Sequence, residues 1–205
     1  MEFIDLSAQQ QRIAGKLEAN LKVVLGHGKY IMGPEVGKLE NALADYVGVE
    51  HAVGCASGTD ALLMALMAYG IGPGDVVFTT PFTFIATAEV ISLLCATPVF
   101  VDIEPETFNL DPKKLDEAAE AVKKPSRSRQ PLRPRAVIAV DLFGLMADYD
   151  EIGAVARRHD LLVIEDAAQS FGAERKGRKA CARGHIACTS FFPAKPLGCY
   201  GDGGM

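Results

Sequence analysis

Three short stretches of the sequence set polar residues where apolar runs end. In Ala56-Ser57-Gly58-Thr59-Asp60, a glycine among small hydroxyl and acidic residues precedes the apolar helical pattern that begins at Ala61. Gly58 permits close backbone approach, and the free N–H groups of a helix start attract an anion such as phosphate. The same residues also serve as plain helix caps. In Val163-Ile164-Glu165-Asp166-Ala167-Ala168-Gln169-Ser170, an apolar strand runs straight into two acids. A carboxylate there is costly to desolvate unless a cation meets it, and ligands of open α/β sheets sit at this edge. Asp166 therefore suits a protonated ring nitrogen, and Gln169 is close enough in sequence to reach the same ligand. The plainer reading is a cap on a short helix. In Thr189-Ser190-Phe191-Phe192-Pro193-Ala194-Lys195-Pro196-Leu197-Gly198, one lysine stands in an apolar loop bounded by prolines. Such surroundings favour a nucleophilic amine and Schiff-base chemistry, whereas a solvent-exposed loop lysine is the plainer reading. Ser190 adds a hydroxyl for a phosphate.

A helix start for an anion, a carboxylate for a ring nitrogen and an amine in an apolar loop are together the parts that hold pyridoxal 5'-phosphate (PLP). To converge, they need elements that end on one edge of a sheet. Helical period predicts helices over Ser7 to Leu25, Pro34 to Tyr46, Thr59 to Tyr69, Thr83 to Leu94, Pro112 to Val122 and Asp148 to His159. Strands are expected over Ala52 to Ala56, Val76 to Thr79, Pro98 to Asp102, Ala136 to Asp141, Leu162 to Glu165 and Ile186 to Phe191. Val76-Val77-Phe78 and Leu161-Leu162-Val163-Ile164 are apolar without alternation, as in strands covered on both faces. The alternation predicts an α/β fold with three layers around a mostly parallel sheet.

The 205 residues are 49% hydrophobic and 23% charged, which fits one globular domain and excludes disorder, collagen and coiled coil. A net charge of -5 argues against a protein whose affinity comes from nucleic acid phosphates. No apolar run reaches the roughly 18 residues of a membrane span, and charges are scattered through the first 25 positions, unlike a signal peptide. Five cysteines without a framework spacing point to reduced thiols in the cytoplasm. Cys181, His185 and Cys188 match no common zinc spacing, and no metal is expected. Lys123 to Arg135, KKPSRSRQPLRPR, is basic and proline-rich. It reads as a solvated loop insertion between a helix and a strand, with docking of an anionic partner as the alternative.

Beyond these single features, the chain resembles the PLP-dependent nucleotide-sugar aminotransferases of fold type I, the DegT/DnrJ/EryC/StrS type. The resemblance is carried by Tyr30 to Val36, Gly58 to Leu62, Pro81 to Thr87, Glu165 to Ala173 and Thr189 to Gly204, with Asp166 and Lys195 at the family's separation. It implies that Lys195 bonds the cofactor and shuttles the proton, and that Asp166 keeps the pyridine nitrogen protonated. It also implies that Gln169 bonds the ring's phenolic oxygen, that Phe84 stacks on the ring, and that Gly58, Thr59, Asp60 and Ser190 form the phosphate site. A lysine rather than a histidine at position 195 speaks for transamination over the family's dehydratase branch. The opening FIDLSAQQ and the SFFPAKPLGCYGDGG stretch look most like enzymes that aminate a UDP-linked 3-keto hexuronic acid for bacterial surface polysaccharide, including lipopolysaccharide. By the same resemblance, the partners are the nucleotide sugar, an amino donor (glutamate) and a second copy in a homodimer, with neither nucleic acid nor membrane.

Family members continue into a smaller C-terminal domain, so residues 1–205 are expected to be the PLP-binding large domain of a longer protein. The competing expectation is a catalytically silent truncated α/β module, or an interaction subunit, that retains the motifs.

Overall fold

The computed structural model describes residues 4–124 and 132–205, which divide into two compact units, Met1–Gly54 and Cys55–Met205. In the first unit, α1 (Leu6–His27) opens on Asp5, whose carboxylate accepts the Ala8 N–H, and α2 (Pro34–Val47) opens with proline in its first turn.

The second unit holds the sheet. Its elements are α3 (Gly58–Ala68), β1 (Asp75–Thr79), α4 (Ala86–Leu93), β2 (Thr97–Phe100), α5 (Pro112–Lys123) and β3 (Arg133–Val140). A 3-10 turn (Leu142–Gly144), α6 (Tyr149–His159), β4 (Leu162–Asp166), β5 (Glu174–Arg175), β6 (Arg178–Lys179) and β7 (Ile186–Cys188) follow. Five strands form a parallel sheet in the order β2-β1-β3-β4-β7, while β5 and β6 make a separate antiparallel pair. The chain steps outward from β1 to β2, then crosses back to β3, so the strand order reverses between β1 and β3. Such a reversal opens a crevice at the carboxyl ends of the strands.

Strand alternation divides the core between the two faces. Val77, Ile138 and Ile164 face Leu62 and Leu66 of α3 and Val90 and Ile91 of α4. Val76, Phe78, Val137, Ala139 and Val163 face Leu115 of α5 and Ile152 and Val155 of α6. The sheet is thus covered on both sides, the three layers expected from its unalternating apolar strands.

Several boundaries differ from the sequence expectation. Ala52 to Ala56 is not a strand; Cys55 makes a single bridge to Gly204. The run from Ile186 leaves the sheet after Cys188, because Thr189 and Phe191 instead bond antiparallel to Met205 and Gly203. Helix α4 begins at Ala86, not Thr83, since the chain is bent over residues 81–83 behind Pro81. At the basic segment, α5 runs through Lys123 and β3 starts at Arg133. Pro134 cannot donate to β1, and the register slips there between Val76 and Val77. Arg133 and Arg135 pair with the buried Asp75 at 2.9 and 3.9 Å. The middle of the supposed insertion, 125–131, lies outside the described residues.

Candidate active site

The carboxyl end of β4 carries the acids. Two-residue alternation sends Glu165 to the α5/α6 face with Val163, and Asp166 to the α3/α4 face with Ile164. Glu165 is fully buried, and its carboxylate accepts the backbone N–H groups of Cys181 (2.6 Å), Arg183 (2.8 Å) and Gly184 (3.3 Å). Burial and the nearby Asp141 push its pKa up to about 7, against the pull of those donors. Asp166 is also buried, but the donors to its carboxylate among the described residues are neutral: the Thr87 hydroxyl to Oδ2 at 2.9 Å and the Ala168 N–H to Oδ1 at 3.3 Å. Burial raises its pKa, and the Thr87 and Ala168 bonds and the charge of Lys195 pull it back. Strand geometry therefore singles out Asp166 as the acid able to receive a cationic ligand group, while Glu165 is committed to the backbone.

The helix start forms a second component. Ser57 caps α3, its Oγ accepting the Asp60 N–H and donating to the Asp60 carboxylate, both at 3.0 Å. Asp60 is thereby engaged in the cap. The N–H groups of Gly58 and Thr59 take no partner among the described residues. Ser190 closes the other side: a Cβ on Gly58 would stand 2.7 Å from the Ser190 Cβ and 3.3 Å from its Oγ, so the contact requires glycine. Gly204 lies between the two, bonded to Cys55 through its N–H and carbonyl, with its Cα against the Ser57 carbonyl so closely that no side chain fits. The result is a cradle of free N–H groups and one hydroxyl, suited to an anion.

The third component is the loop 192–198. The Cys199 N–H bonds the Phe191 carbonyl at 2.7 Å across its base, and the Lys195 N–H bonds the Phe192 carbonyl at 2.8 Å. Lys195 is half-buried within it, and its side chain makes no hydrogen bond or ion pair among the described residues.

The remaining expected residues sit on turns at the same edge. Phe84 is 69% exposed just before α4, and Gln169 is exposed on the turn after β4, its amide unbonded among the described residues. That turn is anchored from below: Ser170 donates to the buried Asp141 at 2.7 Å, and Tyr149 donates to the same carboxylate at 2.8 Å. Burial lifts Asp141 to about 6. As for metal, His185 Nδ1 accepts the Val163 N–H and Cys188 packs into the α3/α4 core. No group of three potential ligands lies together among the described residues.

Sequence reasoning passed over Thr87, Asp141 and Tyr149. Thr87 stood in a quoted motif but carried no role, and nothing in its spacing shows that it meets a carboxylate 79 residues away.

A UDP-2-acetamido-2-deoxy-3-oxo-D-glucuronate aminotransferase of Pseudomonas aeruginosa is 53% identical over 204 residues, covering 100% of this chain and 54% of its own length. The crystal structure of a DegT DnrJ EryC1 StrS aminotransferase from Brucella abortus superposes with a TM-score of 0.95 at 52% identity, over 100% of this chain and 54% of that one. The Bacillus subtilis protein NtdA, solved with bound cofactor PMP, superposes with a TM-score of 0.85 at 31% identity, over 100% of this chain and 44% of that one. The chain spans about half the length of the curated relatives it matches. The profile of the DegT/DnrJ/EryC1/StrS aminotransferase family matches residues 11–205, and with these relatives it shows that the chain belongs to that family.

Proposed function

We propose that the protein binds PLP and transfers an amino group, with glutamate as donor, to a nucleotide-linked keto-sugar, a UDP-linked 3-keto hexuronic acid. Acting as a cytoplasmic homodimer, it would serve bacterial surface polysaccharide synthesis, with residues 1–205 as its cofactor-binding large domain. The observation that carries the reading is Asp166, a buried carboxylate at the carboxyl end of β4 whose hydrogen-bond donors among the described residues are all neutral. The likeness to the Pseudomonas enzyme supports the substrate class, and PMP in the Bacillus relative supports the cofactor.

The residues present fit such a cofactor at both of its polar ends. The Gly58–Ser190 cradle, too tight for a Cβ, offers unpartnered N–H groups and a hydroxyl to a phosphate, and Asp166 offers an acceptor to a ring N–H. When bound, the cofactor supplies a carbonyl that condenses with amines and a ring that takes up the electron pair of a broken C–H bond. Asp166 holds the proton on the ring nitrogen, and its negative charge sits where positive charge must be maintained. Lys195, on a loop closed at its base, would hold the cofactor through Nζ and, once freed, its Nζ would take the proton from the donor's Cα and deliver it to the carbon that was the cofactor's carbonyl. Gln169 bonds the ring oxygen, Phe84 covers the ring face, and Thr59 and Asp60 frame the phosphate from the helix start.

The test uses the full-length protein. PLP should give a visible-edge absorption that glutamate converts to the amine form and a UDP-3-keto sugar acid restores, and Lys195→Ala should abolish the band. Borohydride trapping of the cofactor on another lysine would remove Lys195 from its role. Return with simple 2-keto acids but with no nucleotide keto-sugar would overturn the substrate assignment.

A further inference from the structure

We infer that Thr87 is a positioning residue for the transamination chemistry: its hydroxyl selects and orients the oxygen with which Asp166 meets the ring nitrogen. The inference rests on the PLP reading above, and its geometry is read from this chain's own residues. Thr87 is fully buried in the first turn of α4, and its Oγ1 donates to Asp166 Oδ2 at 2.9 Å. A second hydroxyl stands behind it, with Thr83 Oγ1 at 3.0 Å from Thr87 Oγ1. A hydroxyl has one proton, so while Thr87 donates to Asp166, Thr83 must donate to Thr87. The two, four residues apart, form a directed chain that ends on the carboxylate.

This chain makes the two oxygens of Asp166 unequal. Oδ2 receives a short bond from a side chain held in a helix, whereas Oδ1 has only the long 3.3 Å contact from the Ala168 N–H. Oδ1 is therefore the less engaged oxygen and the better placed to take a further donor, and a protonated ring nitrogen is such a donor. Thr87 also stabilises the charged form of Asp166 against burial, as a bond to an ionised acceptor does. Several other titratable groups act at this place. Lys195 comes from the 192–198 loop, Asp141 from the end of β3, Tyr149 from α6, Cys188 from β7, Cys181 from the segment before it, and Glu165 from β4 itself. Only the Thr87 and Ala168 groups touch the Asp166 carboxylate by hydrogen bond among the described residues.

The experiment compares Thr87→Val, which keeps the shape and loses the donor, with Thr87→Ser, which keeps the donor, in full-length protein. In cofactor-free protein, the Asp166 carboxyl 13C titration should move up by about one pH unit in Thr87→Val and return most of the way in Thr87→Ser. In PLP-loaded protein, kcat should fall about tenfold or more in Thr87→Val with KM for the amino donor little changed. The acid limb of the rate profile should rise with the 13C value, and Asp166→Asn sets the upper bound of the loss. Should Thr87→Val fail to fold, Thr87→Ala carries the same comparison. Equal losses in the valine and serine variants would mean that Thr87 only fills space, and an unmoved Asp166 titration would overturn the inference outright. A wild-type protein that binds no PLP would instead refute the functional reading while leaving the 13C comparison standing.

Discussion

Glu165 and Asp166 follow one another on β4, yet the pleat gives them opposite tasks. Glu165 closes the 181–184 segment by accepting three N–H groups, and Asp141 holds the turn of Ser170 in the same way from β3. Both acids have pKa values raised chiefly by burial, Glu165 from 4.5 to about 7 and Asp141 from 3.8 to about 6. The folded state therefore keeps protons that the unfolded chain has released, between pH 3.8 and 6 for Asp141 and between 4.5 and 7 for Glu165. The sign follows: their contribution to stability is greatest at the acid side of this window and declines as pH rises through it, by up to about 1.4 kcal/mol per pH unit for each group. Urea unfolding of wild type and Glu165→Gln at intervals from pH 4.5 to 7.5 checks this. The variant should lose the Glu165 share of the slope, and parallel curves would show that Glu165 does not titrate there.

At the scale of elements, the anion cradle is a meeting of the α3 N-terminus with the chain just beyond β7. A methyl group at Gly58 forces Ser190 away, and its cost is that of overpacking, about 1–3 kcal/mol, placed where the phosphate would sit. Gly58→Ala should therefore weaken PLP binding at least tenfold with the circular dichroism of the fold retained. Unchanged affinity in an absorbance titration would place the phosphate elsewhere. Much of this arrangement is legible in the sequence. Unalternating runs such as Val76-Val77-Phe78 announce a sheet buried on both faces, and a lone lysine between Pro193 and Pro196 announces itself by its neighbours. What is not legible depends on pairings between distant segments. Ala52 to Ala56 has the composition of a strand, but only Cys55 finds a partner. The strand expected to reach Phe191 stops at Cys188 because residues 203–205 compete for its backbone. Thr87 looks like any helix-turn threonine until β4 brings a carboxylate to it.

Across the whole molecule, the short segment Gly203-Gly204-Met205 joins parts that the chain itself keeps far apart, bonding Cys55 on one side and Thr189 and Phe191 on the other. Because Gly204 lies flat on the Ser57 carbonyl, Gly204→Ala should cost about 1–3 kcal/mol in urea unfolding. A variant as stable as wild type would mean that the backbone there yields. The same segment also sets a timetable. Residue 204 is made well over a hundred positions after Gly58, which at about 5–20 residues per second is roughly 7 to 30 seconds of synthesis. For most of that interval Ser190 is itself unmade, and only residues 203–205 then supply the backbone bonds that fix its spacing from the helix start. A nascent chain on the ribosome would thus show most of the sheet before it shows a place for a phosphate, and cofactor loading would wait on translation rather than guide it.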